Sequence, residues 1–410
     1  MNPLHLSGFG VEILTSNPKP HAELKITVGR KTNPTPTRYR FLPRTIEYDS
    51  IVLENASGQI SLAALRWLSK HNIPIFFLDF NGETISSILP PVPVKADIRV
   101  AQIQAAINPE KKLAIARAFV QGKLNRSIEV LTWLSERYDI QKELVAAKGE
   151  AVKTLQTQTV NELRTVEGRT ALRYWETFRK ILPESLHFEG RVTGTHNENA
   201  NDPFNACLNY SYGFLKVVCH MAINTVGLEP AVGFLHETSA YQTAESLVYD
   251  VEEPFRFLAD VCVIKAFESQ TFAPQDFAYQ RDNYLFRIEP IARAHLRNRL
   301  IEAFNSGILY HGRTLKWDTV IEEKVLELGR YLIGKSPSLD FSEPAPVLER
   351  QDGREVRERI LSLSQSEAKR FGIGKSELHY LRRKAASEQG FRLYAKLRKK
   401  IAQSFDASSV

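Results

Sequence analysis

The spacing of apolar and polar positions divides the chain into a β-rich beginning and a long helical remainder. Up to about residue 89, short apolar or alternating runs are separated by turns that contain Pro and Gly, a pattern that predicts strands. The predicted strands are Val11–Ser16, Leu24–Val28, Arg38–Phe41, Ile51–Leu53 and Ile73–Asp79. Before the last of them, Ser61–Lys70 has helical periodicity and begins with a Ser that can cap a helix.

From about Ala96 to Gly334, apolar residues recur at i, i+3 and i+4, which is the spacing of amphipathic helices. The predicted helices are Ala101–Phe119, Arg126–Tyr138, Leu155–Leu182, Phe204–Val226, Glu245–Phe267, Tyr284–Ser306 and Trp317–Ile333. The proline-containing segments Leu89–Pro93 and Lys335–Pro346 interrupt helix formation and are predicted to be linkers. We therefore predict an α+β protein with a β-rich domain at 1–89, an all-helical domain at 96–335 and a helical third domain at 351–405.

Charge is distributed very unevenly along the 410 residues. The chain has 54 Lys and Arg against 47 Asp and Glu, a net charge of +7. Residues 351–410 hold 14 of the basic residues and seven of the acidic ones, so this segment accounts for the whole excess. A basic block on a neutral body is typical of an appended module that binds a polyanion. A solvated, disordered basic tail is the alternative.

Composition excludes several classes of protein. The hydrophobic fraction is 43% and the charged fraction 25%, which are ordinary values for a globular protein. No apolar run approaches the roughly 18 residues of a membrane span, and residues 1–10 lack the pattern of a signal peptide. The cysteines Cys207, Cys219 and Cys262 have no metal-binding spacing. We expect a protein of a reducing compartment, the cytoplasm, that does not contact a membrane.

Residues 364–383 fit the pattern of a helix-turn-helix. That motif needs a small residue where its helices cross, a Gly at the turn and apolar residues at set offsets. Ala368 and Gly372 take the first two positions, and Glu367 stands where an apolar residue is usual. The apolar offsets are filled by Phe371, Ile373, Leu378 and Leu381. An ordinary helical hairpin is the alternative, but the adjacent basic charge favours DNA binding.

The second helix of this motif is predicted to begin at about Lys375 and to present hydrogen-bond donors outward. Such donors suit phosphates and base edges. The candidate DNA-binding residues on this helix are Lys375, Ser376, His379, Arg382 and Arg383. His379 by itself is typical of any exposed helix.

An acidic residue interrupts the apolar face of the predicted helix Leu155–Leu182. Glu167 lies four residues after Leu163 and four before Ala171, on the face that would be buried. A lone buried carboxylate is costly unless it is paired or ligated. The neighbouring Gly168 adds a cost of about 1 kcal/mol in helix propensity. These two costs indicate a functional role, although Glu167 could instead reach solvent or pair with a neighbouring arginine, Arg164 or Arg169.

A second group of candidate ligands lies between residues 228 and 260. His236 ends an apolar stretch, and Asp250 and Glu253 follow three residues apart, the spacing of one helical side. Two like charges there repel unless a cation lies between them. Carboxylates with an imidazole form a donor set that suits Mn²⁺ or Mg²⁺. The alternatives are a core histidine and an acidic helix N-terminus, which Pro254 would fit.

Four segments together resemble the CRISPR-associated integrases, a family that includes the integrase subunit of CRISPR adaptation and the transposon-encoded casposases. They are VEGRTALRYW (166–175), DPFNACLNYSYGFL (202–215), GLEPAVGFLH (227–236) and SLVYDVEEPFR (246–256). The resemblance covers about residues 1–335 and implies a β-rich domain followed by a helical catalytic domain. It also implies metal-dependent attack of a DNA 3′-hydroxyl on a target phosphodiester, by dimers or higher assemblies.

The resemblance also assigns site residues. Glu167, His236 and Glu253 match the three metal ligands of the family, Asp250 matches an accessory acidic position, and Arg256 matches a basic position that would contact DNA. The segment Arg191–Asn205 is a candidate substrate loop, in which His196 is expected to be exposed. Within it, residues 193–200 depart from the family pattern, so DNA contacts there are in doubt.

The helix-turn-helix that follows residue 335 is typical of casposases, whereas most CRISPR adaptation subunits end before it. We therefore expect a casposase-like integrase that acts as a homodimer or larger homo-oligomer on double-stranded DNA, with Mn²⁺ or Mg²⁺ as cofactor. One alternative is a CRISPR adaptation integrase that requires a small partner subunit. The other is a non-enzymatic helix-turn-helix regulator, against which the acidic cluster argues.

Overall fold

A computed structural model describes residues 2–16, 22–29, 36–91, 96–191, 200–236, 245–269, 272–280, 285–346, 348, 360–370 and 372–386. The chain forms two compact units, Met1–Ala345 and Pro346–Val410, which are described separately below. None of the helices within these ranges is long and apolar enough to cross a membrane.

The first unit begins with a mixed six-stranded sheet in the order β3-β2-β1-β4-β5-β6. Its strands are β1 (Pro3–Thr15), β2 (Leu24–Val28), β3 (Thr37–Phe41), β4 (Ser50–Ile60), β5 (Ile75–Leu78) and β6 (Thr84–Ile88). β1 and β5 both pair with β4 in parallel, and the other pairs are antiparallel. Helix α1 (Leu62–Lys70) crosses from β4 to β5, and Trp67 and Leu68 pack on the sheet's apolar face. The predicted β-rich beginning is confirmed, with longer β1 and β4 and an additional β6.

Helices dominate the remainder of this unit. They are α2 (Ala96–Ile107), α3 (Pro109–Leu134), α4 (Gln141–Lys153), α5 (Val160–Ile181), α6 (Pro203–Val226), α7 (Ser246–Glu252), α8 (Arg256–Glu268), α9 (Pro290–Asn305) and α10 (Trp317–Leu332). Helix α6 is buried along most of its length, and α8, α9, α10 and α7 pack around it. The α+β class is therefore confirmed.

Several predicted element boundaries were wrong. The predicted helix Ala101–Phe119 is broken at Asn108, whose side chain caps α3 by accepting a hydrogen bond from the Lys111 amide at 2.9 Å. Pro109 then occupies the first turn of α3, where its missing N–H costs nothing. Helix α3 runs on without interruption through most of the segment that was predicted as a separate helix, Arg126–Tyr138. Apolar periodicity continues across such a boundary, so it does not show where one helix ends and the next begins.

The region predicted to be all-helical also contains two short hairpins. β7 (Phe277–Gln280) pairs with β8 (Leu285–Ile288), and β9 (Gly307–Tyr310) pairs with β10 (Arg313–Lys316). β8 takes the beginning of the predicted helix Tyr284–Ser306, which starts only at Pro290. The predicted helix Glu245–Phe267 is likewise divided into α7, a short 3-10 helix at Glu253–Phe255 and α8.

Part of the second predicted linker is packed into the first unit. Phe341 is completely buried, and its ring lies 4.4 Å from that of Phe119. The side chain of Arg126 donates hydrogen bonds to the carbonyls of Ser342 and Pro344. A Cβ at Gly122 would lie 2.8 Å from the Cβ of Phe341, so this close approach depends on glycine.

The second unit contains α11 (Gln365–Arg370) and α12 (Lys375–Ala386), which pack on each other. Gly372 between them has a φ of +69°, the left-handed conformation that glycine adopts readily. The buried side chains are those expected from the apolar offsets that the structure describes: Ala368, Ile373, Leu378 and Leu381. Phe371 and most of 351–405 lie outside the described residues, so the domain boundary predicted there remains a prediction, as do those at 1–89 and 96–335.

Candidate active site

Helix α5 positions Glu167 at the edge of its buried face. Thr159 caps the helix by accepting a hydrogen bond from the Glu162 amide at 3.2 Å, and Leu163 and Tyr174 lie in the core. The side chain of Glu167 is 20% exposed and binds Lys123 Nζ of α3. Glu167 therefore faces a neighbouring helix and forms an ion pair with Lys123. Arg164, one of the two arginines considered from the sequence, donates to the Leu235 carbonyl instead.

Asp250 fixes the segment that ends in His236. Its carboxylate, which is fully buried in α7, accepts hydrogen bonds from the amides of Phe234, Leu235 and His236 at 2.5, 3.0 and 2.9 Å. Its Oδ1 also lies 2.8 Å from His236 Nδ1. Asp250 thus orients the imidazole, as carboxylates that hydrogen-bond to metal-binding histidines do in other proteins. The structure places Asp250 behind His236 rather than beside the other carboxylates.

Two further contacts hold the same segment. The Arg164 side chain of α5 donates a hydrogen bond to the Leu235 carbonyl at 2.7 Å. A Cβ at Gly233 would lie 2.6 Å from Ser246 Cβ and 3.0 Å from Asp250 Oδ2, so only glycine lets this backbone approach α7. His236 is therefore held from both α5 and α7.

Glu253 lies where these elements meet. It stands in the 3-10 turn after α7, is 4% exposed, and its Oε2 lies 2.7 Å from Lys123 Nζ. Its Oε1 lies 3.3 Å from Arg256 Nη2 and 3.9 Å from His236 Nε2. Lys123, Glu167, His236, Glu253 and Arg256 together are called the charged cleft below. Lys123 thus lies against two of the candidate ligands, Glu167 and Glu253, and the third, His236, is near Glu253.

The electrostatics of the charged cleft favour the ionised form of Glu253. Burial alone would raise the pKa of Glu253, but Arg256, Lys123 and His236 outweigh it and lower that pKa to about 2. Burial lowers the pKa of His236, whereas the hydrogen bond and charge of Asp250 raise it, and the net shift is upward. The neighbouring Glu252 is buried, which raises its pKa to about 7.

The donor set of the charged cleft fits a divalent cation in chemistry. Two carboxylates and an imidazole nitrogen are ligands that Mn²⁺ accepts and that Mg²⁺ tolerates. The 3.9 Å between His236 Nε2 and Glu253 Oε1 is within the roughly 4.2 Å that two ligands of one such ion can be apart. Among the residues that the structure describes, however, no three acidic, histidine or cysteine side chains are arranged as a finished metal site. Lys123 supplies the positive charge between the carboxylates.

Sequence reasoning missed a polar network beside the charged cleft. Asp260 of α8 is 5% exposed and accepts hydrogen bonds from the Tyr174 hydroxyl at 2.9 Å and the Tyr212 hydroxyl at 2.6 Å. The Tyr212 ring lies between the guanidinium groups of Arg191 and Arg256, at 5.3 and 5.0 Å. A lone acidic residue within the apolar run Phe257–Ile264 is the signal that could have identified Asp260. No comparable break in the pattern of residues indicates that Lys123 belongs to the site.

The candidate DNA-binding residues of the second unit fall into two groups. Lys375, Ser376, His379 and Arg383 are exposed on α12, as predicted. Arg382 is half-buried and donates a hydrogen bond to the Leu363 carbonyl at 2.6 Å, so it supports the helix pair from within. Glu367, the departure from the motif, caps α11 because its carboxylate accepts from the Ser364 amide while Ser364 Oγ accepts from the Glu367 amide.

The candidate substrate loop is described only at its ends. Residues 192–199, with His196, lie outside the described residues. At one end, Arg191 donates hydrogen bonds to the side chains of Asn205 and Asn209 at 2.9 and 2.8 Å. At the other, Asp202 caps α6 by accepting from the Asn205 amide at 2.8 Å. The end of this segment is therefore the first turn of a helix.

Known proteins are similar to this chain in sequence. The chain is 27% identical over 302 residues to a CRISPR-associated endonuclease Cas1 of Archaeoglobus fulgidus, covering 69% of this chain and 86% of that protein. It is 32% identical over 242 residues to one from Methanospirillum hungatei, covering 58% and 71%.

Solved structures of the same kinds of protein have a similar fold. A casposase bound to an integration product superimposes with a TM-score of 0.79 at 34% identity, covering 88% of this chain and 99% of that one. A Cas1 protein from Thermotoga maritima has a TM-score of 0.67 at 16% identity, covering 82% and 98%, and shares the fold. The family model for CRISPR associated protein Cas1 matches residues 25–305, which include Glu167, His236 and Glu253. The chain therefore belongs to the Cas1 family.

Proposed function

We propose that this protein is a casposase-like DNA integrase that joins a DNA 3′-hydroxyl to a phosphodiester of target double-stranded DNA. The observation that carries the proposal is that Lys123 Nζ contacts both Glu167 and Glu253, while Glu253 Oε1 lies 3.9 Å from His236 Nε2. The 34% identity to a casposase bound to an integration product supports the casposase branch.

Mn²⁺ or Mg²⁺ is the proposed cofactor, and Glu167, His236 and Glu253 would hold it. When bound, such an ion lowers the pKa of an attacking hydroxyl and neutralises charge that develops on the phosphate. Binding of the ion would then weaken or break the ion pairs of Lys123 with the two carboxylates, because the ammonium group lies between them.

The residues of the chain divide the remaining work. Asp250 accepts a hydrogen bond at His236 Nδ1, which leaves Nε2 facing Glu253 as the free nitrogen of a neutral imidazole. Arg256 is partly exposed and pairs with Glu253, so it could contact a phosphate of DNA that enters the cleft. In the second unit, the exposed donors Lys375, Ser376, His379 and Arg383 are the proposed contacts to DNA backbone or base edges.

We further propose that the protein acts as a homodimer or higher homo-oligomer on DNA and resides in the cytoplasm. The three cysteine thiols are buried and unpaired, and burial raises their pKa, which suits a reducing compartment. A CRISPR adaptation integrase with a small partner subunit is the second candidate, because the curated relatives are CRISPR-associated endonucleases.

A strand-transfer assay tests the proposal. Purified full-length protein is incubated with a labelled oligonucleotide bearing a free 3′-hydroxyl, a supercoiled plasmid and Mn²⁺ or Mg²⁺, beside the variant His236→Ala. We expect metal-dependent joining by the protein alone, and none by the variant. DNA binding without joining would contradict the casposase assignment and favour the second candidate. Joining that persists in the variant would contradict the assigned site.

A further inference from the structure

The buried carboxylate of Asp260 receives hydrogen bonds from two helices. Tyr174 of α5 donates to Oδ2 at 2.9 Å, and Tyr212 of α6 donates to Oδ1 at 2.6 Å. All three side chains are less than 10% exposed. Each oxygen thus has its own donor, which offsets part of the cost of placing a carboxylate in the core.

The positions of these residues relate directly to the charged cleft. Tyr174 follows Glu167 by seven residues along α5, and Asp260 follows Glu253 by seven residues through the turn into α8. Seven residues are two helical turns, or about 10 Å along a helix axis. The Tyr174–Asp260 hydrogen bond therefore links α5, which bears Glu167, to α8, which directly follows the 3-10 turn that bears Glu253.

The packing of α5 and α8 gives this link its importance. Helix α5 packs mainly against α3 and α4, whereas α8 packs mainly against α3, α6 and α9. The separation of Glu167 from Glu253 is therefore set largely by packing on α3, whose Lys123 contacts both carboxylates. A direct bond between α5 and α8 fixes the same separation without involving α3. A shift of α5 by one turn, about 5.4 Å, would break it.

Arg256 is connected to the same residue. Its guanidinium lies 5.0 Å from the centre of the Tyr212 ring, and it pairs with Glu253 at 3.3 Å. The Tyr212 hydroxyl, held by Asp260, therefore fixes the ring that packs on Arg256. An apolar residue at position 260 would pack at lower cost but could not specify these two contacts, and a polar core group that sets register is a recognised exception to apolar packing.

We infer that Asp260, with Tyr174 and Tyr212, is a positioning group that sets the separation of Glu167 from Glu253 and thereby the affinity of the charged cleft for a divalent cation. This inference rests on the proposed function for the identity of the cleft. It assigns no contact with DNA or metal to Asp260. Its consequence is that loss of a hydroxyl outside the cleft weakens metal binding within it.

The test compares two conservative variants of the full-length chain. Tyr174→Phe removes one hydroxyl from Asp260. Tyr210→Phe removes one hydroxyl from another buried carboxylate, because Tyr210 donates to Glu54 Oε2 at 3.0 Å and Glu54 is fully buried. The control pair joins α6 to the sheet and does not involve Glu167 or Glu253. Both variants keep the aromatic ring and should fold.

Mn²⁺ binding is measured by calorimetric titration without DNA, and stability by thermal melting. We expect similar falls in melting temperature for the two variants, but a rise in the Mn²⁺ dissociation constant only for Tyr174→Phe, by about tenfold, as for other groups behind metal ligands. An equal effect of both variants, or no effect of Tyr174→Phe, would overturn the inference. Absence of Mn²⁺ binding by the unaltered protein would also overturn it. Mn²⁺ binding without DNA joining would instead contradict the proposed function while the inference stands.

Discussion

The charged cleft and the α11–α12 pair place their charged side chains in opposite environments. In and around the cleft, Asp250, Glu253 and Asp260 are at most 5% exposed, and each has partners from other elements. On α12, Lys375 and Arg383 are exposed, while the inward positions are apolar. A buried charge requires partners that only tertiary contacts supply, whereas an exposed charge requires only its place on a helix. Substitutions in the cleft should therefore affect stability and chemistry together, and those at the exposed positions of α12 should affect DNA binding alone.

The largest expected effect is that of Asp250→Ala. It leaves three backbone amides and His236 without their acceptor, so we expect a loss of about 3 kcal/mol in the free energy of unfolding. Joining should fall by about 100-fold because the imidazole loses its orientation. Denaturant unfolding and the strand-transfer rate measure the two effects.

A matched control is Glu150→Ala on α4, since Glu150 is a buried carboxylate that pairs with Lys153 and Arg173 away from the cleft. It should lose stability but little joining. The comparison fails if the two variants join DNA at the same rate.

The next effect concerns pH. His236 must be neutral at Nε2 to bind a metal ion, and its pKa is raised above the ordinary value of about 6.5. Joining should therefore decline as the pH falls, and the midpoint should lie above 6.5 when the metal ion is well below saturation, because a bound ion competes with the proton. Asp250→Asn should move the midpoint downward because it removes the charge that raises this pKa.

Stability should change in the opposite sense. A raised pKa means that the folded protein binds the proton more tightly than the unfolded chain, so the resulting stabilisation is fully present below pH 6.5 and is lost as the pH rises through the raised pKa. Joining measured against pH, with parallel thermal melts, tests both trends. A midpoint that Asp250→Asn leaves unchanged would contradict the assigned role of Asp250.

A smaller effect is expected from the paired substitution Lys375→Ala with Arg383→Ala on α12. Each lost phosphate contact should reduce the slope of log affinity against log salt by about 0.9, so the pair should reduce it by about 2. Metal binding in the cleft should be unchanged. Gel-shift titrations at several salt concentrations measure the slope.

Arg382→Ala is the matched control from the same helix, because Arg382 donates to the Leu363 carbonyl. It should lower stability while leaving the number of phosphate contacts unchanged. A salt slope that Arg382→Ala reduces as much as the double variant would contradict the division of roles on α12.

The smallest effect is expected at Gly168, beside Glu167. A Cβ there would meet nothing within 4 Å, so packing does not require glycine. Gly168→Ala should raise the free energy of unfolding by about 1 kcal/mol through helix propensity. Joining should fall a few-fold, because the sequence analysis interpreted the cost in helix propensity beside Glu167 as a sign of a functional role.

Gly149→Ala on α4 is the control, since Gly149 also has nothing within 4 Å and is also within a helix. It should stabilise to the same extent without changing the joining rate. Equal joining rates for the two variants would show that the glycine at position 168, despite its cost in helix propensity, has no role in joining.

Prediction from the sequence succeeded where a local pattern was sufficient. Apolar periodicity gave α6 and α10 almost to the residue. The assignment of Glu167, His236 and Glu253 as metal ligands stays a prediction, although Glu253 lies near His236 and shares Lys123 with Glu167. Prediction failed at the break between α2 and α3 and at the segment after α10, because one periodicity continues through a cap and an extended segment can still be buried.

The fold class, the candidate ligands and the exposed basic side chains of α12 could be predicted from the order of residues, because each is indicated by a pattern along a short segment. Chain packing places Lys123 between Glu167 and Glu253, sets Asp250 behind His236 and joins α5 to α8 through Asp260, and no pattern along one segment indicates these contacts. These pairings join residues separated by 14 to 130 positions, and only chain packing determines which of the many charged residues meet there.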